Sequence, residues 1–139
     1  MKVLCVFDSS VALADHQRGR LGEVESVFAV TAGQSYQLLG MGIWDDVLTF
    51  LIAGSDDLPM FLPAGLFQPA SIALPSDWYF RLNVGIQLSG RSRWTEPCTA
   101  LWGYRELVED DLHAPALEEM QPHALRVFAR RLSEASKQQ

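Results

Sequence analysis

The chain has few cysteines and no long apolar run. Its 139 residues include two cysteines, Cys5 and Cys98, and neither has further ligands at the spacing of a metal site. We therefore expect both thiols to be structural. No apolar run approaches the ~18 residues of a membrane span, and the run 3–7 is too short for the centre of a signal peptide. These absences predict a cytoplasmic protein.

Basic residues are missing from two long segments. Residues 21–80 hold seven acidic side chains and no Lys or Arg, and residues 106–125 hold six acidic side chains and no Lys or Arg. The formal net charge of the chain is −6. Such segments repel nucleic-acid phosphates and anionic lipids, so binding to nucleic acid or to a membrane is disfavoured. The complementary partner is a basic protein.

The chain also lacks the short motifs that carry catalysis or cofactor binding. It contains no Gly-x-Ser-x-Gly segment, no Gly-rich phosphate loop and no His-Glu-x-x-His segment. Pro115 separates His113 from Glu118, so the two do not share an unbroken helical face at ligand spacing, and the same holds for Glu119 and His123. We therefore expect no enzyme activity, no cofactor and no metal.

The segment 33–67 carries two strand patterns with acidic turns. In the second strand Phe50 and Ile52 share one face and Leu51 takes the other, and its aromatic and β-branched residues favour a pleated surface. A Pro-flanked run at 60–62 is typical of an edge strand. Four aspartates lie in the turns of this segment: Asp45, Asp46, Asp56 and Asp57.

A further strand and two helices are predicted after this segment. Apolar and polar residues alternate over 78–84, which predicts a strand with Phe80 in the core. Residues 94–102 are aromatic but aperiodic and are interpreted as a junction. Pro115 and Pro122 fit the first positions of helices at 115–120 and 122–135. Three apolar residues at helical spacing, Leu125, Phe128 and Leu132, are expected to dock the last helix.

These patterns predict a single α+β domain over residues 1–139. Its first part, residues 1–84, is expected to form a mainly antiparallel barrel or a bent sheet, with residues 8–22 as a loop. The remainder, residues 85–139, is expected to form a junction and a C-terminal helical extension packed against the sheet.

The order of signals in residues 1–84 resembles that of small bacterial and phage proteins with an SH3-like β-barrel. Gly33 precedes Tyr36 by three residues, an apolar strand ends at Ile52, an acidic turn follows, and Phe67 closes the segment. The resemblance implies a fold and no activity. In general character, a small acidic β-rich chain is also similar to immunity proteins, which bind and block a partner toxin.

Two acidic groups and one tryptophan are the candidate partner-binding residues. The first group combines Trp44, as the anchor, with Asp45, Asp46, Asp56 and Asp57. The second consists of Glu109, Asp110 and Asp111. Aspartate is common in turns without any partner, and acids near a helix N-terminus are stabilised by its dipole, so both groups also have a purely structural interpretation.

The expected function is that of a cytoplasmic, acidic protein-binding inhibitor of immunity type. It would occlude a basic toxin such as a nuclease, with the acids mimicking phosphates and Trp44 filling a pocket. The alternative is a bacterial or phage interaction module of SH3-like fold with no inhibitory role. A small enzyme is the third possibility.

Overall fold

The computed structural model describes residues 1–18, 28–84 and 98–138, and within them the fold is α+β. All strand pairs are antiparallel. The strands are β1 (Lys2–Cys5), β2 (Ser35–Trp44), β3 (Val47–Ala53), β4 (Pro59–Pro63), β5 (Phe67–Pro69), β6 (Tyr79–Val84) and β7 (Cys98–Gly103). The helices are α1 (Asp15–Arg18), α2 (Arg105–Glu109), α3 (His113–Glu118) and α4 (Pro122–Lys137).

The long strand β2 organises the sheet. Its first residues pair with β1, and its later residues pair with β3 and with β7. The register with β3 shifts between Leu38 and Gly40, an irregularity of the kind that bends a strand. Strand β4 lies beside β3, β5 beside β1, and β6 beside β7. Among the described strands the sheet stays open, so the predicted SH3-like barrel is not seen.

Strand β7 corrects the predicted division of the chain at residue 84. It lies in the sheet between β2 and β6, with Gly42 opposite Leu101 and Arg81 opposite Leu101 on the other side. The interpretation of residues 94–102 as a junction is therefore wrong for 98–102, and residues 94–97 lie outside the described residues. The sequence of β7 shows no apolar–polar alternation, because both of its faces carry apolar residues. Ala100 and Trp102 lie on one face, and Leu101 and a glycine lie on the other.

The sheet has a core on each face, and β3 contributes to both. Leu51 lies in the core that the helices cover, which we call the helix-side core. Phe50 and Ile52 lie in the opposite core with Val3 and Phe67, which we call the strand-side core. The predicted facing of these three β3 residues is confirmed, because alternate side chains of a strand point to opposite faces.

The C-terminal helices pack on the helix-side core. Phe128 and Ala124 of α4 and Leu117 of α3 are buried there, and the partly buried Leu132 packs against them. The expected docking of the last helix is therefore confirmed for Phe128 and Leu132, whereas Ala124, and not Leu125, belongs to this core. Pro122 is the first residue of α4, as predicted. Helix α3 begins two residues earlier than predicted, because Leu112 is its N-cap and Pro115 is its third residue.

Strand β6 is confirmed, but its predicted facing is wrong. Phe80 is 52% exposed and Leu82 is 59% exposed. Arg81 points to the helices instead, where its guanidinium donates to the Val108 carbonyl and pairs with Asp111. The helices cover the face of the sheet that carries Arg81, so Phe80 is not a core residue.

Candidate partner-binding surface

Asp45 and Asp46 form the tip of the β2–β3 hairpin. Their φ angles are 50° and 59°, the left-handed conformation that two-residue hairpin turns require and that aspartate tolerates better than most residues. Both side chains are exposed. The turn therefore projects two carboxylates beyond the last strand pair, Trp44 and Val47.

Asp56 and Asp57 lie in the turn between β3 and β4. Asp57 also has a positive φ, 58°, and its N–H donates to the Gly54 carbonyl. The seven residues of β3 separate this turn from the hairpin tip, which at ~3.3 Å per residue is about 20 Å. The four aspartates are exposed but do not form one continuous acidic rim.

Trp44 lies inside the protein. It is 5% exposed, belongs to the helix-side core and packs edge-on against Phe61 with ring centroids 5.9 Å apart. Since β2 and β7 carry the helices on this face, the indole fills the chain's own core and not a partner's pocket. The expectation that Trp44 anchors a contact is corrected on this ground.

Glu109, Asp110 and Asp111 lie where α2 ends and α3 begins, and each interacts locally. Glu109 pairs with Arg105 at 2.9 Å and Asp111 pairs with Arg81 at 2.7 Å. A carboxylate oxygen of Asp110 accepts from the Leu112 N–H at 3.0 Å. The structural interpretation accounts for this group, because two of its charges are compensated and the third orders the start of α3.

An apolar surface that the sequence analysis missed crosses four strands. One row joins Phe80 to Trp102 and Trp102 to Met41, and a second joins Leu82 to Ala100 and Ala100 to Ile43, which faces Leu48. Cross-strand partners share a face of the sheet. We call these residues the open sheet face: Met41, Ile43, Leu48, Phe80, Leu82, Ala100 and Trp102.

The open sheet face includes an aromatic pair in which Phe80 is exposed and Trp102 is half-buried. The rings of Phe80 and Trp102 stack with centroids 4.8 Å apart and an interplanar angle of 29°. The row continues inward through Met41 to the buried Phe50 of the strand-side core. The surface is therefore an extension of a core row into solvent. Its only sequence signal was the alternation over 78–84, which we assigned to the interior.

In the part of the chain that the structure describes, the arginines with identified ion pairs lie on the helical side of the sheet. Glu106 accepts from Arg130 at 2.7 Å and from Arg131 at 2.8 Å, and Arg131 also reaches Glu134 at 3.1 Å. Arg81 likewise points to the helices. By contrast, only the residue pair Trp44 and Val47, which faces the other side of the sheet, separates Ile43 and Leu48 from the acidic hairpin tip.

A buried polar pair lies under the helices. The Tyr104 hydroxyl and His113 Nε2 are 2.5 Å apart, and both side chains are buried. Burial raises the pKa of the Tyr104 hydroxyl and lowers the pKa of the His113 imidazole. Both groups are thus held neutral, with one donating to the other according to the histidine tautomer.

A cleft of about 490 Å³ lies between α4, the start of β2 and the loop before β6. Its lining includes Arg105 and Arg131, but both are already paired with glutamates. Within the described ranges, no three His, Cys, Asp or Glu side chains come together as a metal site would need. The buried Cys98 thiol has its pKa raised to about 11 by burial, which opposes a nucleophilic role.

Comparison of the chain with protein-family models, with curated proteins and with solved structures finds no match in any of the three. No helix of the described part is long and apolar enough to cross a membrane. The function therefore has to be argued from the surface itself.

Proposed function

We propose that this protein is a cytoplasmic, non-catalytic inhibitor of immunity type that binds and occludes a basic protein partner, such as a toxin. One observation carries the proposal: an acidic hairpin tip lies close to an exposed apolar surface, while the arginines with identified ion pairs lie on the opposite side of the sheet. Carboxylates beside exposed apolar side chains suit a surface that recognises a cationic protein.

The two parts of this surface have different physical roles. Exposed carboxylates attract a cationic partner over several ångströms and raise the association rate, an effect that salt screens. Apolar contact acts after encounter, because buried aromatic area must be returned to water before the partner leaves. Asp45 and Asp46 thus serve recognition, and the apolar rows set the lifetime of the complex.

The described residues do not support a catalytic function to the same extent as they support binding. The arginines of the cleft are ion-paired, the Tyr104 and His113 pair is buried and neutral, and the Cys98 thiol is protonated at neutral pH. None of these groups combines an exposed nucleophile with a base in hydrogen-bond reach, which a catalytic site requires.

A second candidate is a non-inhibitory interaction module, similar in character to the small bacterial and phage proteins with an SH3-like fold. The observation that favours it is the ~20 Å separation of the two aspartate turns along β3. A phosphate-mimicking inhibitor uses one continuous acidic rim, whereas a module needs only a local binding surface.

The test is a salt series of association rates between the full chain and a basic partner protein recovered by pull-down. The variant is Asp45→Asn with Asp46→Asn, because asparagine tolerates the same positive φ and removes only the charge. Asp56→Asn with Asp57→Asn is the matched control at the other end of β3. We expect the hairpin variant to slow association at low salt by about tenfold, with little change for the control.

Activity of the bound partner separates the two candidates. Stoichiometric loss of the partner's activity supports the inhibitor, whereas binding with full activity supports the module. A chain that binds no basic protein at low salt contradicts both.

A further inference from the structure

We infer that the open sheet face is the contact surface for the basic partner, with Phe80 and Trp102 as its anchors; this inference rests on the proposed function. Both aromatic residues belong to the only row that leads from the buried Phe50 to solvent through Met41, within the described strands. The pair therefore takes the anchoring role that the sequence analysis gave to Trp44.

The amino-acid composition of the open sheet face is typical of a protein-binding surface. All seven of its side chains are apolar, and it includes a Trp, a Phe and a Met, residue types enriched at protein interfaces. Four strands spaced ~4.8 Å apart make it about 14 Å wide between the outer strand axes. Leu48, Phe80 and Leu82 are exposed, the other large side chains of the face are half-buried, and Ala100 is buried. Single exposed apolar residues are ordinary on a protein surface, but a contiguous group of them on one face marks a contact site.

The anchors are preorganised for contact. Phe80 and Trp102 are cross-strand partners, and their stacked rings restrain each other's rotamers. Phe80 is nevertheless 52% exposed, so much of its ring still contacts water. A partner that covers the pair gains apolar burial without having to order two mobile side chains.

Charge decides which partner occupies the face. Asp45 and Asp46 project from the hairpin that carries Ile43 and Leu48, so an occupant of the rows lies next to two carboxylates. A second copy of this chain would bring the same carboxylates and a net charge of −6 to the contact. The fitting occupant is a protein segment that presents apolar side chains flanked by Lys or Arg.

Synthetic peptides supply a defined probe for this chemistry. Three peptides of equal length are compared by fluorescence anisotropy against the full chain: alternating Arg and Leu, alternating Glu and Leu, and alternating Arg and Ser. We expect the Arg and Leu peptide to bind at least about tenfold more tightly than either of the others, because only it matches both the rows and the hairpin charge.

Substitutions on the open sheet face test whether the peptide binds there. Phe80→Ser with Leu82→Ser is expected to weaken binding of the Arg and Leu peptide about tenfold or more. Leu112→Ser is the control, since Leu112 is 60% exposed but lies at the start of α3, and it should leave binding unchanged. Leu82→Lys should weaken binding more than Leu82→Glu, and these single changes at an exposed position keep the test valid if the double variant is poorly folded.

Three results would overturn the inference, and they are distinguishable. If the serine variant binds like the wild type while Asp45→Asn with Asp46→Asn does not, the face is wrong and the proposed function stands. Equal binding of the Arg and Leu and the Glu and Leu peptides, both lost in the serine variant, keeps an apolar site but contradicts a basic partner. A dimer in light scattering that the serine variant dissociates shows that a second copy occupies the face.

Discussion

The Tyr104 hydroxyl and the His113 Nε2 atom lie 2.5 Å apart beneath the helices, and both side chains are buried. The rings also meet edge to face, with centroids 5.4 Å apart and an interplanar angle of 80°. This contact joins the end of β7 to the start of α3, because Tyr104 follows β7 directly and His113 is the first residue of α3. The attachment of α3 therefore includes a hydrogen bond between two neutral groups, in addition to the burial of Leu117.

Protonation of His113 is expected to destabilise the fold in acid. Burial lowers the pKa of its imidazole in the folded state, outweighing the opposite effects of Asp110 and Glu106. An unfolded histidine titrates near ~6.5, so the unfolded chain binds the proton first as the pH falls. The contribution of His113 is thus fully present above ~6.5 and is lost towards the folded-state pKa, by at most about 1.4 kcal/mol per pH unit.

Urea unfolding between about pH 7.5 and about pH 5 measures this effect. His113→Gln should remove that part of the pH slope, whereas His16→Gln, at an exposed position on α1, should keep it. A His113→Gln variant with the wild-type slope would show that other groups cause the acid sensitivity.

The two phenylalanines Phe80 and Phe128 are expected to respond differently to truncation. Phe128 is 1% exposed in the helix-side core, so Phe128→Ala should cost about 3 to 5 kcal/mol of unfolding free energy. Phe80 is half exposed and mainly stacks on Trp102, so Phe80→Ala should cost under ~1.5 kcal/mol. Denaturant midpoints at an unchanged m-value provide the comparison. Similar losses of unfolding free energy for the two variants would show that Phe80 is a core residue after all.

Gly42→Ala is expected to disturb the packing of Trp44. A Cβ at Gly42 would lie 2.6 Å from two atoms of the Trp44 ring and 3.1 Å from Leu101. Since the indole is enclosed by the helix-side core, the clash should destabilise by about 1 to 3 kcal/mol. A double-mutant cycle with Trp44→Leu checks the cause, because the smaller side chain should make the glycine substitution nearly neutral. Strict additivity of the two changes would exclude this contact as the source.

The sequence predicted which residues share a face more reliably than which face is covered. The facings of Phe50, Leu51 and Ile52 were correct because a strand alternates whatever packs on it. The same rule predicted correctly that Phe80 and Leu82 lie on one face of β6. It did not show that helices distant in sequence would cover the other face, which carries Arg81. That choice depends on nonlocal packing, as shown by the ion pair between Arg81 and Asp111.

The candidate surface was predictable only in its charge. The sequence predicted that Asp45 and Asp46 lie on a turn in a segment without Lys or Arg, and in the structure they form the hairpin tip. Local sequence did not show that Trp44 on the preceding strand turns inward, since both faces of β2 carry apolar residues. Trp102 was assigned to a junction and not to a strand, because Leu101 and Gly103 alternate with it on β7 and a glycine gives no apolar signal.

Removal of residues 112–139 tests whether the sheet can exist without α3 and α4. These helices bury Leu117, Ala124 and Phe128 against the helix-side core, and their loss would expose Leu51 and Phe61 on the other side of the contact. An exposed apolar area of this kind promotes association, so a chain ending at Asp111 should aggregate or lose its cooperative melting transition. A chain shortened only by its last two residues, beyond the end of α4 at Lys137, is the control and should melt like the full chain. Light scattering and circular dichroism report the two properties separately. A monomeric truncated chain with an unchanged melting curve would show that the helices are an independent extension and that the sheet is stabilised by the strand-side core alone.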